Sequence, residues 1–521
     1  MHRLVCGATV ALFVASPSQA AVFTVDTSSD AALSACTPAP ADCSLRGAIL
    51  AANGMPGADR IEFALPESDP GYQPASAHWR IEAQSAMPNN AGDLEIDGYT
   101  QPGALANTQS PELGGSNAVL KIELRNAGQS SNTGIDSSSA NFDARLLLRG
   151  LAISRFASQV VLSGGAAHRV EGCFLGTDIS GTAPSLTGNS GLGIGVRVQG
   201  EGPYVIGGET PAARNVLSGM FSGIVSFSVP NGLRIRGNLI GTNAAGTASI
   251  ANRSYGIDLG SFRDVVIGGT TPAARNVISG NEFTAIQLGA GAAPAMFPNL
   301  RVLGNYIGTD WSGSLPIPNG RNAASPSQPQ PSILLFAGGA CSVQIGGFSA
   351  GEANLIAYGG AQGILVGTCR RVAAAGNLHI GHRDMAIDNS ATSFADGPTA
   401  NDAGDADSGG NRLQNAADVV DAVAVGADRF RLDLRIDSAP GNATYPLRVD
   451  AFRGRGADLL EHLAQRTITQ AEAQTVVSIE LPLTALADGV VQLLATDAEG
   501  NTSEVGRYAL SPVFADGFES D

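Results

Sequence analysis

Between residues 141 and 395 the apolar positions come in short bursts. Gly193-Ile194-Gly195-Val196, Gly256-Ile257-Asp258-Leu259, Ala285-Ile286-Gln287-Leu288 and Gly363-Ile364-Leu365-Val366 each set aliphatic side chains two apart, with a different residue between. A period of two marks strands, and a helical period near 3.6 is almost absent. The bursts are three to five residues long, and Gly, Asn, Thr and Ser fill the corners between them. They also sit inside recurring phrases. "HRVEGCFLGTDISGT" begins at His168, "LRIRGNLIGTNAAGT" at Leu233 and "LRVLGNYIGTDWSGS" at Leu300. A second phrase, "VIGGETPAARNVLSG" from Val205, returns as "VIGGTTPAARNVISG" from Val266 and, degraded, as "VQIGGFSAGEANLIAYG" from Val343. Each large repeat thus splits into two turns of roughly 30 residues, within the range of solenoid repeats.

In such a coil each strand pairs with its equivalent one turn along, about 4.8 Å away, so equivalent residues stack in columns. Phe174, Leu239, Tyr306 and Leu378 share one position and predict an apolar column. Asn238, Asn305 and Asn377 share another and predict a ladder of corner amides, with Cys173 standing in the same place. Asp178 and Asp310 close "GTD" corners, but the middle copy has Asn243. Asp and Asn are interchangeable as turn-makers and not as acid or base, so these acids read as structural.

The grammar changes outside the repeat. The first residues read as a secretory leader: His2 and Arg3, an apolar run from Leu4 to Ala15, and Ser18-Gln19-Ala20 before Ala21. Residues 21–65 are expected to cap the coil, 66–140 to form irregular turns, and 141–395 the regular ones, giving a β-helix over 66–395. Pro316–Ser332 breaks the pattern and predicts a protruding loop. Residues 396–416 read as an acidic linker. In "FRLDLRID" Phe430, Leu432, Leu434 and Ile436 alternate with charged residues, as in a half-exposed antiparallel strand. With the strands that follow, this predicts a small immunoglobulin-like β-sandwich over 417–511, and then a tail, 512–521.

Three more phrases carry a resemblance. "CSLRGAILAAN" runs from Cys43 to Asn53, "IDGYTQPGA" from Ile96 to Ala104 and "NDAGDADSGGNRLQN" from Asn401 to Asn415. With the repeats, they resemble the bacterial secreted proteins that join a CSLREA domain to a right-handed parallel β-helix of pectin-lyase-like architecture. Gly47 stands where that motif has Glu. The resemblance implies an all-β fold, a right-handed parallel β-helix followed by a small sandwich, and a secreted or cell-surface protein. It leaves the activity open, because the architecture hosts lyases, hydrolases and adhesins alike.

Composition narrows this. The net charge is −16, and Lys121 is the only lysine. No basic patch is dense enough for a phosphate backbone, which argues against nucleic acid. After the leader, no apolar run is long enough to cross a bilayer, so no transmembrane segment is expected. Five cysteines remain once Cys6 leaves with the leader. Cys36 and Cys43 are close enough to close a small loop, and Cys341 and Cys369, about one turn apart, are placed to bridge stacked turns. Cys173 is left as a buried thiol.

Candidate chemistry is sparse. A polysaccharide hydrolase on this fold needs carboxylates clustered on one outer face of neighbouring turns. Asp258 and Asp388 each follow an Ile that points in, so both are expected to point out, but Gln287 and Leu365 occupy the column between them. His379, His382 and Asp384 in "NLHIGHRDMAID" form the most unusual cluster; a strand puts residues three apart on opposite faces unless a bulge intervenes. These five residues are the catalytic candidates. Asp402, Asp405, Asp407 and Asn411, interleaved with glycines, form a candidate calcium loop without the distal Glu of an EF-hand. The expected function is non-catalytic binding of an extracellular glycan or surface component. The alternative is a polysaccharide lyase or glycoside hydrolase.

Overall fold

The computed structural model describes residues 20–509, apart from 129–130, 139–143, 165–166, 187–192, 229, 290–297, 322–327, 337–338, 393, 427, 457 and 484–489. The expected leader, save Ala20, and the C-terminal tail lie outside the described residues.

The repeat builds a parallel β-helix of three sheets. One has eleven strands, from Val22–Val25 to Cys369–Ala373, and one has nine, from Thr133–Asp136 to Ile387–Asn389. The third runs in parallel from His78–Ala83 to Leu378–Ile380. Consecutive turns pair in register. Ile224, Ile257, Ile286, Ile333, Ile364 and Ile387 stack in the second sheet, all fully buried. Leu217, Ile240, Ile278, Ile307 and Ile356 do the same in the third. Each such side chain contributes about 1.5–3 kcal/mol of burial, and the columns merge into one core along the axis.

The predicted apolar column is present, on the outer side of its sheet. Phe174, Val216, Leu239, Val277, Tyr306, Leu355 and Leu378 are one register row pointing away from the core. Leu120, Ala244, Tyr99 and Trp311 cover its first half as a separate apolar cluster, and Leu378 at its end is exposed. A strand only two or three residues long shows no alternation from which to choose a face.

The amide ladder is longer than predicted, because the Asn of the second phrase interleaves with that of the first. Asn215, Asn238, Asn276, Asn305 and Asn354 each donate Nδ2 to the Oδ1 of the next, at 2.9–3.0 Å, ending on Asn377. Cys173 takes the adjoining rung and donates its backbone N–H to Asn215 Oδ1 at 2.8 Å. A second ladder joins Asn252, Asn281 and Asn319 at 3.0 and 2.9 Å. Asn319 and the buried Ile317 belong to the coil although they fall within the predicted loop Pro316–Ser332, of which residues 322–327 lie outside the described residues. The corner residues Asp178, Asn243 and Asp310 each accept backbone N–H groups four and five residues on through Oδ1, the same structural bond in all three.

Leu45–Asn53, the α-helix in the described chain, closes the N-terminal end, capped by Ser44, whose hydroxyl accepts from the Gly47 N–H. A Cβ on Gly47 would lie 1.7 Å from the Leu33 carbonyl oxygen, so no side chain fits there. The structure joins Cys36 to Cys43 and Cys341 to Cys369, with Cα separations of 4.4 and 5.9 Å, within the range disulfides span.

At the other end two antiparallel sheets share a second core. Asp418–Ala424, Arg429–Arg435 and Val477–Pro482 form one. Asp458–Ile468, Leu447–Arg455, Val490–Thr496 and Gly506–Ala509 form the other, which continues the third sheet of the coil through the pair His379–Leu459. Phe430, Leu432, Leu434 and Ile436 face this core, as their alternation predicts. The fourth strand of the sandwich, Asp458–Ile468, pairs with the third, whereas in a constant-type immunoglobulin domain it joins the sheet of the first, second and fifth.

Candidate functional site

Two of the five catalytic candidates meet inside the protein. His379 occupies the rung after Ile356 and points into the core, fully buried. His382 follows the short strand and takes the place an Asn holds in the second ladder: its Nδ1 accepts the Gly359 N–H at 3.2 Å, as Asn319 Oδ1 accepts that of Asn281. With Nδ1 accepting, the proton sits on His382 Nε2, which donates to His379 Nδ1 at 3.2 Å. The rings meet over Gly363, where a Cβ would lie 2.6 Å from both nitrogens. Burial pushes His382 down to about 4, and burial with the His382 charge pushes His379 well below its ordinary value. Both are neutral core imidazoles with no path to a substrate. The extra residue in this copy turns His382 inward, so that residues three apart meet on one side of the sheet.

Asp258 points away from the core, as expected, but is 6% exposed. Its Oδ1 accepts from Gln287 Nε2 at 3.2 Å, and burial raises its pKa. Gln287, Leu334 and Leu365 separate it from Asp388 along the row, so the two acids stand four strands apart, roughly 19 Å. They do not form one site.

Asp384 and Asp388 instead belong to the junction between coil and sandwich. A cavity of about 920 Å³ opens there, lined by Gln362, Asp384, Thr399, Asp418, Glu504 and Tyr508 among others. Asp384 is exposed on its wall. Asp388 lies behind it, fully buried, with Oδ2 accepting from Gln362 Nε2 at 3.0 Å and Oδ1 without a partner. Burial, with Asp396 and Asp384 nearby, pushes Asp388 up to about 6. Glu504 comes from the sandwich. Its Oε1 accepts the Asn389 N–H at 3.1 Å and its Oε2 the Thr399 N–H at 2.8 Å. Burial, with the Asp388 charge, pushes it up to about 7. Glu504 was missed in the sequence. It sits in "NTSEVG", a polar stretch with no periodicity, and only the docking of the sandwich buries it.

In the acidic segment Asp402, Asp405 and Asp407 come together, with one carboxylate oxygen from each lying within 4.8 Å of the others. Asp405 is buried and accepts from Gln414 Nε2 at 2.6 Å and from the Asn415 N–H at 3.1 Å. Burial pushes it up to about 6 against these bonds, and the charges of Asp407 and Asp402 add to the rise. Asp407 Oδ1 is buried without a partner. Asn411 serves elsewhere: its Oδ1 accepts the Val372 N–H at 2.9 Å and its Nδ2 donates to the Val372 and Thr502 carbonyls. It pins the segment to the end of the coil, with its oxygen turned to the Val372 N–H. The Cys173 thiol is pushed up to about 12 by burial, which leaves it inert.

No family model, no curated protein and no solved structure matches this chain.

Proposed function

We propose that this is a secreted or cell-surface β-helix protein of the bacterial CSLREA type that binds an extracellular glycan without transforming it. The observation that carries this reading is that the acids on the outer rows of the coil do not meet. A glycosidase needs two carboxylates at a fixed short separation flanking one bond. Here Asp258 and Asp388 are four strands apart in the second sheet and the two histidines are sealed in the core. What remains accessible is a long surface of register rows at strand spacing, plus a sugar-sized junction cavity. Two disulfides and the leader-like first residues support an oxidising, extracellular setting. No helix among the described residues is long and apolar enough to cross a membrane. Affinity electrophoresis against neutral and acidic polysaccharides tests the proposal: retardation by at least one glycan is expected, and migration unaffected by every glycan overturns it.

One observation favours the alternative, an enzyme. Burial pushes Glu504 up to about 7 on the wall of a cavity that Asp384 also lines. A hydrolase reading places Glu504 as general acid there.

Calcium fits the acidic segment in part. Three convergent carboxylates and the unpartnered Asp407 Oδ1 are the hard oxygen donors the ion prefers. Asp402, Asp405 and Asp407 would hold it, and it would neutralise their charge and fasten the segment between coil and sandwich.

A further inference from the structure

Across successive strands of the first sheet, one outward row reads Arg169, Val205, Arg234, Val266, Arg301, Gln344. Because the sequence repeats every two turns, arginine recurs on every second strand, roughly 10 Å apart. Toward the N-terminal end of this sheet the arginines are neutralised. Arg60 pairs with Glu62 and Asp97, Arg149 lies 3.6 Å from Asp97, and Arg169 meets Glu171.

Arg236 still pairs with Glu209, but on the same strand Arg234 has no ion pair among the described residues. Its Nη1 donates to the main-chain oxygens of Leu233 and Asp264, not to a carboxylate. Arg301 is exposed and has no ion pair among the described residues. Both line a groove of about 490 Å³ that continues past Asn299, Ser342 and Gln344 to Arg371. Two carboxylates reach this groove. Asp264 Oδ1 accepts from Asn299 Nδ2 at 2.9 Å, and Glu499 is held between Arg371 and Arg412 at 3.3 and 3.6 Å. Glu499 is thus taken by Arg371 and Arg412, while Asp264, bonded to a neutral amide, keeps its charge and offsets part of that of Arg234; Arg301 is left without a counter-charge. Burial, followed by the charges of Arg236 and Arg301, lowers the pKa of Arg234 against the opposing charge of Asp264, so Arg234 and Arg301 repel one another. An anion between them removes that repulsion.

We propose that this groove binds a linear glycan bearing carboxylate or sulfate groups, laid along the coil axis with Arg234 and Arg301 gripping successive anionic groups. The inference rests on the glycan-binding reading and names the class of glycan. The guanidinium fork meets two oxygens of one anionic group, which an ammonium cannot do as well. The wide spacing of the arginines suits a polymer of intermittent charge. Duplex nucleic acid presents a charge about every 1.7 Å and needs a denser basic face, which a chain of net charge −16 does not offer.

The test is calorimetry on the full chain with three probes, a polyuronate, a heparin fragment and a neutral glucan, each at low and high salt. The polyuronate or the heparin fragment should bind, more weakly at high salt, and the two arms tell carboxylate from sulfate. Arg234→Gln with Arg301→Gln should weaken that binding at least tenfold with an unchanged melting temperature, and Arg301→Lys should retain part of it. Anionic binding that survives the double variant overturns the site. Binding of the neutral glucan alone overturns the inference and leaves the glycan reading standing. Binding of none of the three, with no other glycan retarding the protein, removes both. Equal affinity for a DNA duplex also overturns it.

Discussion

The two imidazoles at the end of the coil show how much a single residue's place decides. His382 stands where the second ladder elsewhere carries Asn252, Asn281 and Asn319, and performs the same acceptance from a backbone N–H. Because burial pushes its pKa down to about 4, its contribution to stability is present above the ordinary value of 6.5 and is lost as pH falls toward 4. His382→Asn restores the ladder residue and removes the titration. The variant should match the parent in melting temperature at pH 8. It should exceed it at pH 4.5, by roughly 3 kcal/mol at most. An identical fall in both proteins between those pH values would show that His382 titrates freely. Sequence alone made the pair visible as an oddity but not as core: a three-residue strand followed by an insertion gives no parity from which to assign His379 to the inside.

Among the elements, the junction of coil and sandwich has the most to lose. Glu504 ties the last strand of the second sheet to the segment at Thr399, and Asp388 sits beside it with an unpartnered oxygen. With its pKa raised to about 7 from 4.5, Glu504 contributes stability that is present below pH 4.5 and lost as pH rises through 7. Asp388 acts in the same direction between 3.8 and about 6. Glu504→Gln gives up one of the two accepted N–H bonds at every pH, but it should gain on the parent between pH 5 and pH 8, the difference in stability shifting in its favour by about 3 kcal/mol in the limit. A constant gap across that range would mean that Glu504 is ionised throughout. The strands themselves were legible: period-two bursts and repeated phrases place the first amide ladder, the sheet rows and the alternation of Phe430 to Ile436. The junction was not. Glu504 and Asp388 are more than a hundred residues apart and carry no shared pattern, so only tertiary docking makes them neighbours.

For the whole molecule the question is how two cores stay joined. The bonds of Asn411 to Val372 and Thr502, the continuation of the third sheet through His379 and Leu459, and the acidic segment all span the joint. If calcium occupies the acidic segment, millimolar calcium should raise the melting temperature, chelator should reverse the rise, and Asp407→Asn should abolish both effects. A melting temperature indifferent to calcium would leave the segment as a hydrogen-bonded linker. The sequence showed these acids as a loop but misassigned Asn411. An amide beside three aspartates looks like a ligand until the end of the coil claims both of its polar atoms.

Binding without chemistry is the central claim, and the length of the polymer tests it most directly. A glycan retained by the protein, incubated with it overnight across pH 5 to 9 and sized by mass spectrometry, should keep its chain-length distribution, with no new reducing ends and no unsaturated termini. Shortened chains that disappear with Glu504→Gln or Asp384→Asn would contradict the claim and make the junction cavity an active site.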